Sequence, residues 1–246
     1  MKYELINDNF ENAKVYQLPK ADLIIADIPY NIGKDAYASN VDWWEGRSYE
    51  NGKSKKAEKR FFNTDENFNI ENFFKFCIRY LKEEKQGTGA SSMLVFCSFE
   101  QIPEVLEEAK KVGLKKCIPL IMIKNNSSQV LKSNMKIVTA TEYCLLLYRN
   151  KLPKFNNTLE DGKKHMIKNW FEFKRDKDVP KIHPTQKPVN LLETLIKILT
   201  DEGDFVIDPV AGSGSTILAC KRTNRDCVGF EVDKQFYKKA SELLSL

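Results

Sequence analysis

Residues 206–219, VIDPVAGSGSTILA, decide the fold. An apolar run ends on Asp208-Pro209, turns through Gly212-Ser213-Gly214 and continues into a helix-forming segment. Glycine is wanted where a backbone turns tightly and must let a ligand approach with no Cβ in the way. The next apolar run, DCVGFEVD (226–233), places Glu231 nineteen positions beyond Gly212. At that spacing a βαβ nucleotide-binding unit sets a carboxylate against ribose hydroxyls. Ile217 stands where a dinucleotide fingerprint has its third glycine, and no G-x-x-x-x-G-K-[ST] run is present. The pattern therefore points to an adenosine compound without a pyrophosphate.

Outward from this unit, strand-like and helical stretches alternate. KYELIND (2–8), DLIIAD (22–27), SMLVFCS (92–98), KCIPLIMIK (116–124) and EYCLLLYRN (142–150) read as strands. The continuous apolar run of DLIIAD marks a strand buried on both faces of a parallel sheet, and SMLVFCS reads as another buried strand. Helices are expected to about Leu18, over 68–85 and 100–113, and over 187–203, where Leu191, Leu192, Leu195, Ile196 and Leu199 form a stripe of period 3.6. A further helix follows from KQFYKKASELL (234–244). The alternation predicts one doubly wound, three-layer α/β domain over 1–246. Residues 31–67, with Tyr37, Trp43, Trp44 and Tyr49, and about 125–182, with 151–186 irregular and basic, break the pattern. Irregular stretches this long inside a domain usually form lids or binding loops.

Composition narrows the function. The 246 residues show no signal peptide or membrane-spanning run, which predicts a soluble cytoplasmic chain without a membrane partner. Six cysteines are scattered singly, as in a reducing compartment, and two histidines with no C-x-x-C make no metal site legible. Of a net charge of +5, residues 109–187 hold eighteen basic residues against six acids, a local +12 that leaves the remainder at −7. Such asymmetry points to a polyanionic partner.

The second chemically loaded stretch is ADIPYN (26–31), in which Asp27, Pro29 and Tyr30 crowd the end of a buried strand. Together with DPVAGSGST (208–216), HPTQKP (183–188) and TEYCLLLYRN (141–150), it resembles the β group of amino DNA methyltransferases dependent on S-adenosylmethionine. In that group the catalytic motif precedes the cofactor motif, a circular permutation of the Rossmann-like order. DIPY stands where the family has Asp-Pro-Pro-Tyr, so Ile28 replaces a proline, and Val210 replaces a phenylalanine of the cofactor motif.

The resemblance implies a site-specific enzyme that methylates an exocyclic amino group in double-stranded DNA, adenine N6 before cytosine N4. The Asp27 carboxylate and Ile28 carbonyl would accept the two N–H groups of the amine, Pro29 would stiffen the backbone, and Tyr30 would stack on the flipped base. Asp27 would also border the cofactor, with Asp208, Pro209, Ala211, Gly212, Gly214 and Glu231 forming its cradle. His183, Thr185 and Lys187 would lie over its methionine end, Lys187 against the carboxylate, and Asp8 would be a further contact. A cognate restriction endonuclease is the natural companion of such an enzyme, which would act as monomer or homodimer. RNA or protein-glutamine methylation, and a catalytically idle nucleic-acid-binding module, are the rival readings.

Overall fold

The computed structural model describes residues 2–30, 68–84, 89–125, 130–132, 137–158, 162–183 and 185–245. The expected insertion at 31–67, with its four aromatic residues, lies outside the described residues, as does part of 125–182.

The strands are β1 (Tyr3–Ile6), β2 (Leu23–Asp27), β3 (Ser92–Cys97), β4 (Lys116–Lys124), β5 (Val130–Lys132), β6 (Ile137–Val138), β7 (Thr141–Tyr148), β8 (Trp170–Phe173), β9 (Phe205–Asp208) and β10 (Asp226–Phe230). The helices are α1 (Ile70–Tyr80), α2 (Ile102–Lys111), α3 (Val189–Leu199), α4 (Ser215–Arg222) and α5 (Lys234–Leu244), with a 3-10 turn over Phe10–Tyr16. Eight strands form one sheet in the order β1-β10-β9-β2-β3-β7-β4-β8, and β5 and β6 form a two-stranded sheet. This is the doubly wound Rossmann-like α/β sheet expected from sequence, with the strand of the catalytic motif earlier in the chain than that of the cofactor motif.

Alternate residues of the central strands β2 and β3 feed opposite cores. Ile24, Ala26 and Ile28 join Met93, Val95 and Cys97 under α1 and α2. Leu23 and Ile25 join Leu94 and Phe96 under α3 and α4. A strand whose every side chain is apolar is therefore satisfied on both faces. From β9 the chain winds to β10, from β2 to β3, in opposite directions, so the β9–β2 boundary is the topological switch point where α/β sheets bind ligands.

Two expectations need correction. The sheet is not wholly parallel: β7 runs antiparallel to both β3 and β4. Its apolar run looks like that of its parallel neighbours because it too is buried on both faces. Within 151–186, read as irregular, β8 forms the sheet edge parallel to β4. Its four residues, WFEF, alternate half-buried and exposed and are too short to carry a legible period.

Local chemistry fixes the helix starts. Asn69 caps α1 by accepting the Asn72 N–H at 2.8 Å, and Asp233 caps α5. Helix α3 begins after Pro188 with no side-chain cap of its own. A distant carboxylate, Asp176, accepts the Val189 and Asn190 N–H groups at 2.6 and 3.2 Å instead, anchoring the segment after β8 to the helix that follows HPTQKP.

Candidate active site at two neighbouring strand ends

Strands β2 and β9 are parallel neighbours, with Leu23 opposite Val206 and Ile24 opposite Ile207. The two sequence motifs accordingly emerge side by side at the carboxyl ends of two neighbouring central strands. HPTQKP bridges them. The His183 ring lies over the turn, where a Cβ on Gly212 would come within 3.8 Å of its Nε2, and Lys187, four residues on, reaches Asp27.

On the β2 side, Lys187 Nζ sits 2.8 Å from Asp27 Oδ2 and 3.1 Å from Glu142 Oε2, and a second ammonium, Lys124, lies 2.5 Å from Glu142 Oε1. Two partly buried carboxylates thus meet two ammonium groups, and the formal charge of the group is zero. Glu142 opens the antiparallel β7, which brings the start of that strand to the edge where β2 ends. Burial alone would lower the Lys187 pKa, but Asp27, Glu142 and Tyr30 outweigh it and hold the ammonium protonated. Glu142 is pulled down to about 2 against its burial by Lys187 and Lys124. Burial raises the Asp27 carboxyl, opposed chiefly by Lys187.

Asp27 Oδ2 is engaged by Lys187, while Oδ1 is buried and has no hydrogen-bond partner among the described residues. Tyr30 keeps its proton because burial drives its pKa well up, and its hydroxyl accepts from Lys187 at 3.4 Å. The Lys187 ammonium also stands 5.6 Å from the Tyr30 ring centroid and 5.1 Å from that of Phe96. Gln101 donates from Nε2 to the Pro29 carbonyl at 2.8 Å.

On the β9 side, Gly212 and Gly214 take φ of +50° and +73°, the left-handed conformation that a side chain strains. Asp208 is buried and accepts the Val210 N–H at 3.0 Å, with Pro209 and Ala211 buried beside it. Glu231 accepts the Asp233 N–H at 2.7 Å. Burial pushes both carboxyls up to about 7, opposed in part by the Thr216 hydroxyl and the Val210 N–H at Asp208 and by main-chain N–H groups at Glu231. His183 is held down to about 4 by burial and by Lys187 and Lys181, so its ring is neutral, packed 4.2 Å from the Phe236 ring. The exposed Thr185 turns its hydroxyl to His183 Nδ1 at 3.1 Å.

Two residues read as cofactor contacts have protein partners here. Lys187 is shared between Asp27 and Glu142. Asp8 accepts from Asn9 N–H, Asn12 Nδ2 and Tyr16 hydroxyl, each at 2.7 Å, and so holds the 3-10 turn. Glu142, Lys124 and Gln101 were not singled out from sequence. An acid opening the apolar run CLLLY was the one available sign for Glu142.

A sequence profile of the DNA methylase family matches residues 21–242. The chain is 26% identical over 242 residues to the type II methyltransferase M.HpaI of Haemophilus parainfluenzae, spanning 91% of this chain and 68% of that protein. It is 27% identical over 260 residues to the DNA adenine methyltransferase YhdJ of Escherichia coli strain K12, spanning 92% and 77%. The fold is similar to that in the crystal structure of the M1.HpyAVI–SAM complex, with a TM-score of 0.64 at 22% identity over 97% of this chain and 98% of that one. A match over most of the chain, carrying both strand-end motifs, makes it a member of the N6-adenine/N4-cytosine DNA methylase family, whose methyl donor is S-adenosylmethionine.

Proposed function

We propose that this chain methylates the N6 amino group of adenine in double-stranded DNA. The observation that carries the reading is Asp27 Oδ1, a buried acceptor without a partner among the described residues, beside the glycine turn of the neighbouring strand. Leaving such an atom unsatisfied costs about 1–3 kcal/mol, which a donor supplied by substrate would recover.

An exocyclic amine is a weak nucleophile because its lone pair is delocalised into the ring. Asp27 Oδ1 and the Ile28 carbonyl would each accept one of its N–H groups, favour a pyramidal nitrogen and stabilise the positive charge that develops there. Lys187 opposes the rise that burial imposes on the Asp27 carboxyl and fixes its other oxygen. Pro29 restricts the backbone between these acceptors and Tyr30, whose ring would cover the extruded base.

S-adenosylmethionine, when bound, supplies an electrophilic methyl group on a sulfonium. The residues of the β9 turn fit it: the strained backbone of Gly212 and Gly214 leaves room for close approach, and Glu231 offers a carboxylate to ribose hydroxyls. Asp208, Pro209 and Ala211 wall the turn, and His183 with Thr185 covers it from above. The basic surplus of 109–187 and the insertions at 31–67 and 125–182 would hold and read the duplex. Lys124 and Lys187 are excluded from that role, being inside the site.

Adenine is preferred because the motif is Asp-led, the form its family uses mainly for adenine. The test is transfer of labelled methyl from S-adenosylmethionine to unmethylated DNA, RNA and protein, followed by chromatography of the digested nucleosides. N6-methyladenine in DNA is the expected product; N4-methylcytosine, or label in RNA or protein, overturns the assignment.

A further inference from the structure

In a parallel pair, the residue that donates its N–H to one partner carbonyl accepts, at its own carbonyl, the N–H two positions further along the partner strand. Ile28 N–H donates to the Phe96 carbonyl at 3.2 Å, so the next rung of the ladder would run from Ser98 N–H to the Ile28 carbonyl. That rung is missing. Ser98 N–H donates to Gln101 Oε1 at 3.1 Å instead. The other end of the same amide donates to the Pro29 carbonyl at 2.8 Å, and Gln101 N–H closes the turn on the Ser98 carbonyl at 3.2 Å. Both Ser98 and Gln101 are buried, and among the described residues no donor ends on the Ile28 carbonyl.

We propose that Gln101 is a positioning residue for methyl transfer: it diverts Ser98 N–H, so that the Ile28 carbonyl is kept free for the target amine, and it ties down the peptide between Pro29 and Tyr30. The inference rests on the proposed function, in which that carbonyl accepts one N–H of the amine. A buried glutamine that only sealed the β3–α2 turn would need to satisfy Ser98 alone. This one spans two strands, and its second arm lands inside the DIPY motif. Without it, Ser98 N–H is released beside the carbonyl and competes with substrate for it.

Gln101→Met removes both arms at nearly constant volume. Gln101→Glu keeps an acceptor for Ser98 N–H and loses the donor to Pro29. Ser98→Ala removes a 3.3 Å hydroxyl contact within the same turn and leaves both amide arms intact. The readout is the single-turnover rate of methyl transfer from labelled S-adenosylmethionine to unmethylated plasmid DNA at saturation, with dissociation constants for S-adenosylhomocysteine and DNA measured alongside. Gln101→Met is expected to lower the rate by about tenfold or more, Gln101→Glu by about two- to fivefold and Ser98→Ala by less than twofold, with both dissociation constants within about twofold of the unsubstituted chain. A rate for Gln101→Met within twofold of the unsubstituted chain overturns the proposal. So does a loss as large for Gln101→Glu as for Gln101→Met, or a loss that appears in the dissociation constants instead of the rate. Were Gln101→Met to misfold, Gln101→Glu decides alone: a reduced rate with unchanged binding supports the role and a full rate overturns it. If the unsubstituted chain transfers no methyl to DNA, the proposed function itself fails, an outcome distinct from the others.

Discussion

Lys187 Nζ lies 2.8 Å from Asp27 Oδ2 and 3.1 Å from Glu142 Oε2, joining the end of one strand to the start of another through a single buried ammonium. The Glu142 contact is an ion pair without hydrogen-bond geometry, since Oε2 has no hydrogen-bond partner among the described residues.

Replacing this lysine removes the main influence that opposes the rise of the Asp27 pKa on burial. In Lys187→Met the Asp27 carboxyl therefore protonates at higher pH, and a protonated carboxyl accepts poorly from an amine. The acid limb of the rate–pH profile should move upward, and the rate at pH 7 should fall by about 100-fold, the scale of losing one preorganised electrostatic partner. Single-turnover rates between pH 5.5 and 9 check it.

Glu142→Gln should cost stability in a pH-dependent way. The folded carboxyl titrates at about 2 against an ordinary value of 4.5, so its contribution is present above pH 4.5 and is lost as pH falls toward 2. The deficit of the variant should be about 3 kcal/mol at neutral pH, shrinking between pH 4.5 and 2. Denaturant midpoints at pH 7, 4.5 and 3 measure it.

Asp27→Ala separates an enzyme from an idle DNA-binding module. Transfer should fall by about 1,000-fold or more, while binding of S-adenosylhomocysteine, assigned in the proposed function to the β9 turn, changes by less than about fivefold. Equal losses in both would place Asp27 in the cofactor cradle alone.

Glu231 and Asp208 both titrate at about 7, above their ordinary range, because they are buried. Carboxylates that face a cationic ligand and ribose hydroxyls bind best when ionised, so cofactor affinity should rise from pH 6 to pH 8 with release of protons. Glu231→Gln should weaken binding at pH 8 and flatten much of this dependence. Calorimetry in two buffers of different ionisation enthalpy reads the proton count. For the free protein the sign is opposite: raised carboxyls favour the fold below pH 4 and lose that contribution as pH rises through 7.

Gly229→Ala tests how tightly β10 backs the turn. Its Cβ would meet Ala211 Cβ and Ile217 Cδ1, both at 2.8 Å. Overpacking of this kind should cost about 1–3 kcal/mol and displace Ala211, weakening cofactor binding as well as lowering the denaturation midpoint.

Much of this was legible because it is local. The apolar run, the glycine turn and the acid nineteen positions later specify β9, its turn and β10, and the DIPY stretch marks its own strand end. What was missed depends on strand pairing. Glu142 sits at the beginning of a strand, and only the antiparallel course of β7 carries it to Lys187. Gln101 looks like an ordinary polar residue ahead of a helix until the β2–β3 register shows which rung it interrupts. Lys124 and Lys187 count toward the basic surplus in composition, yet they face carboxylates in the interior.

The antiparallel strand has one more consequence. The chain leaves β4 at Lys124 and rejoins β7 at Thr141 on the same rim, the gap closed by the Lys124 N–H on the Ala140 carbonyl at 2.8 Å. The intervening stretch hangs from a hairpin whose base is pinned by the sheet and whose stem supplies both Lys124 and Glu142. If that stretch reads the duplex, as proposed, exchanging it would alter target preference and leave the ion pairs of Lys124, Glu142 and Lys187 in place.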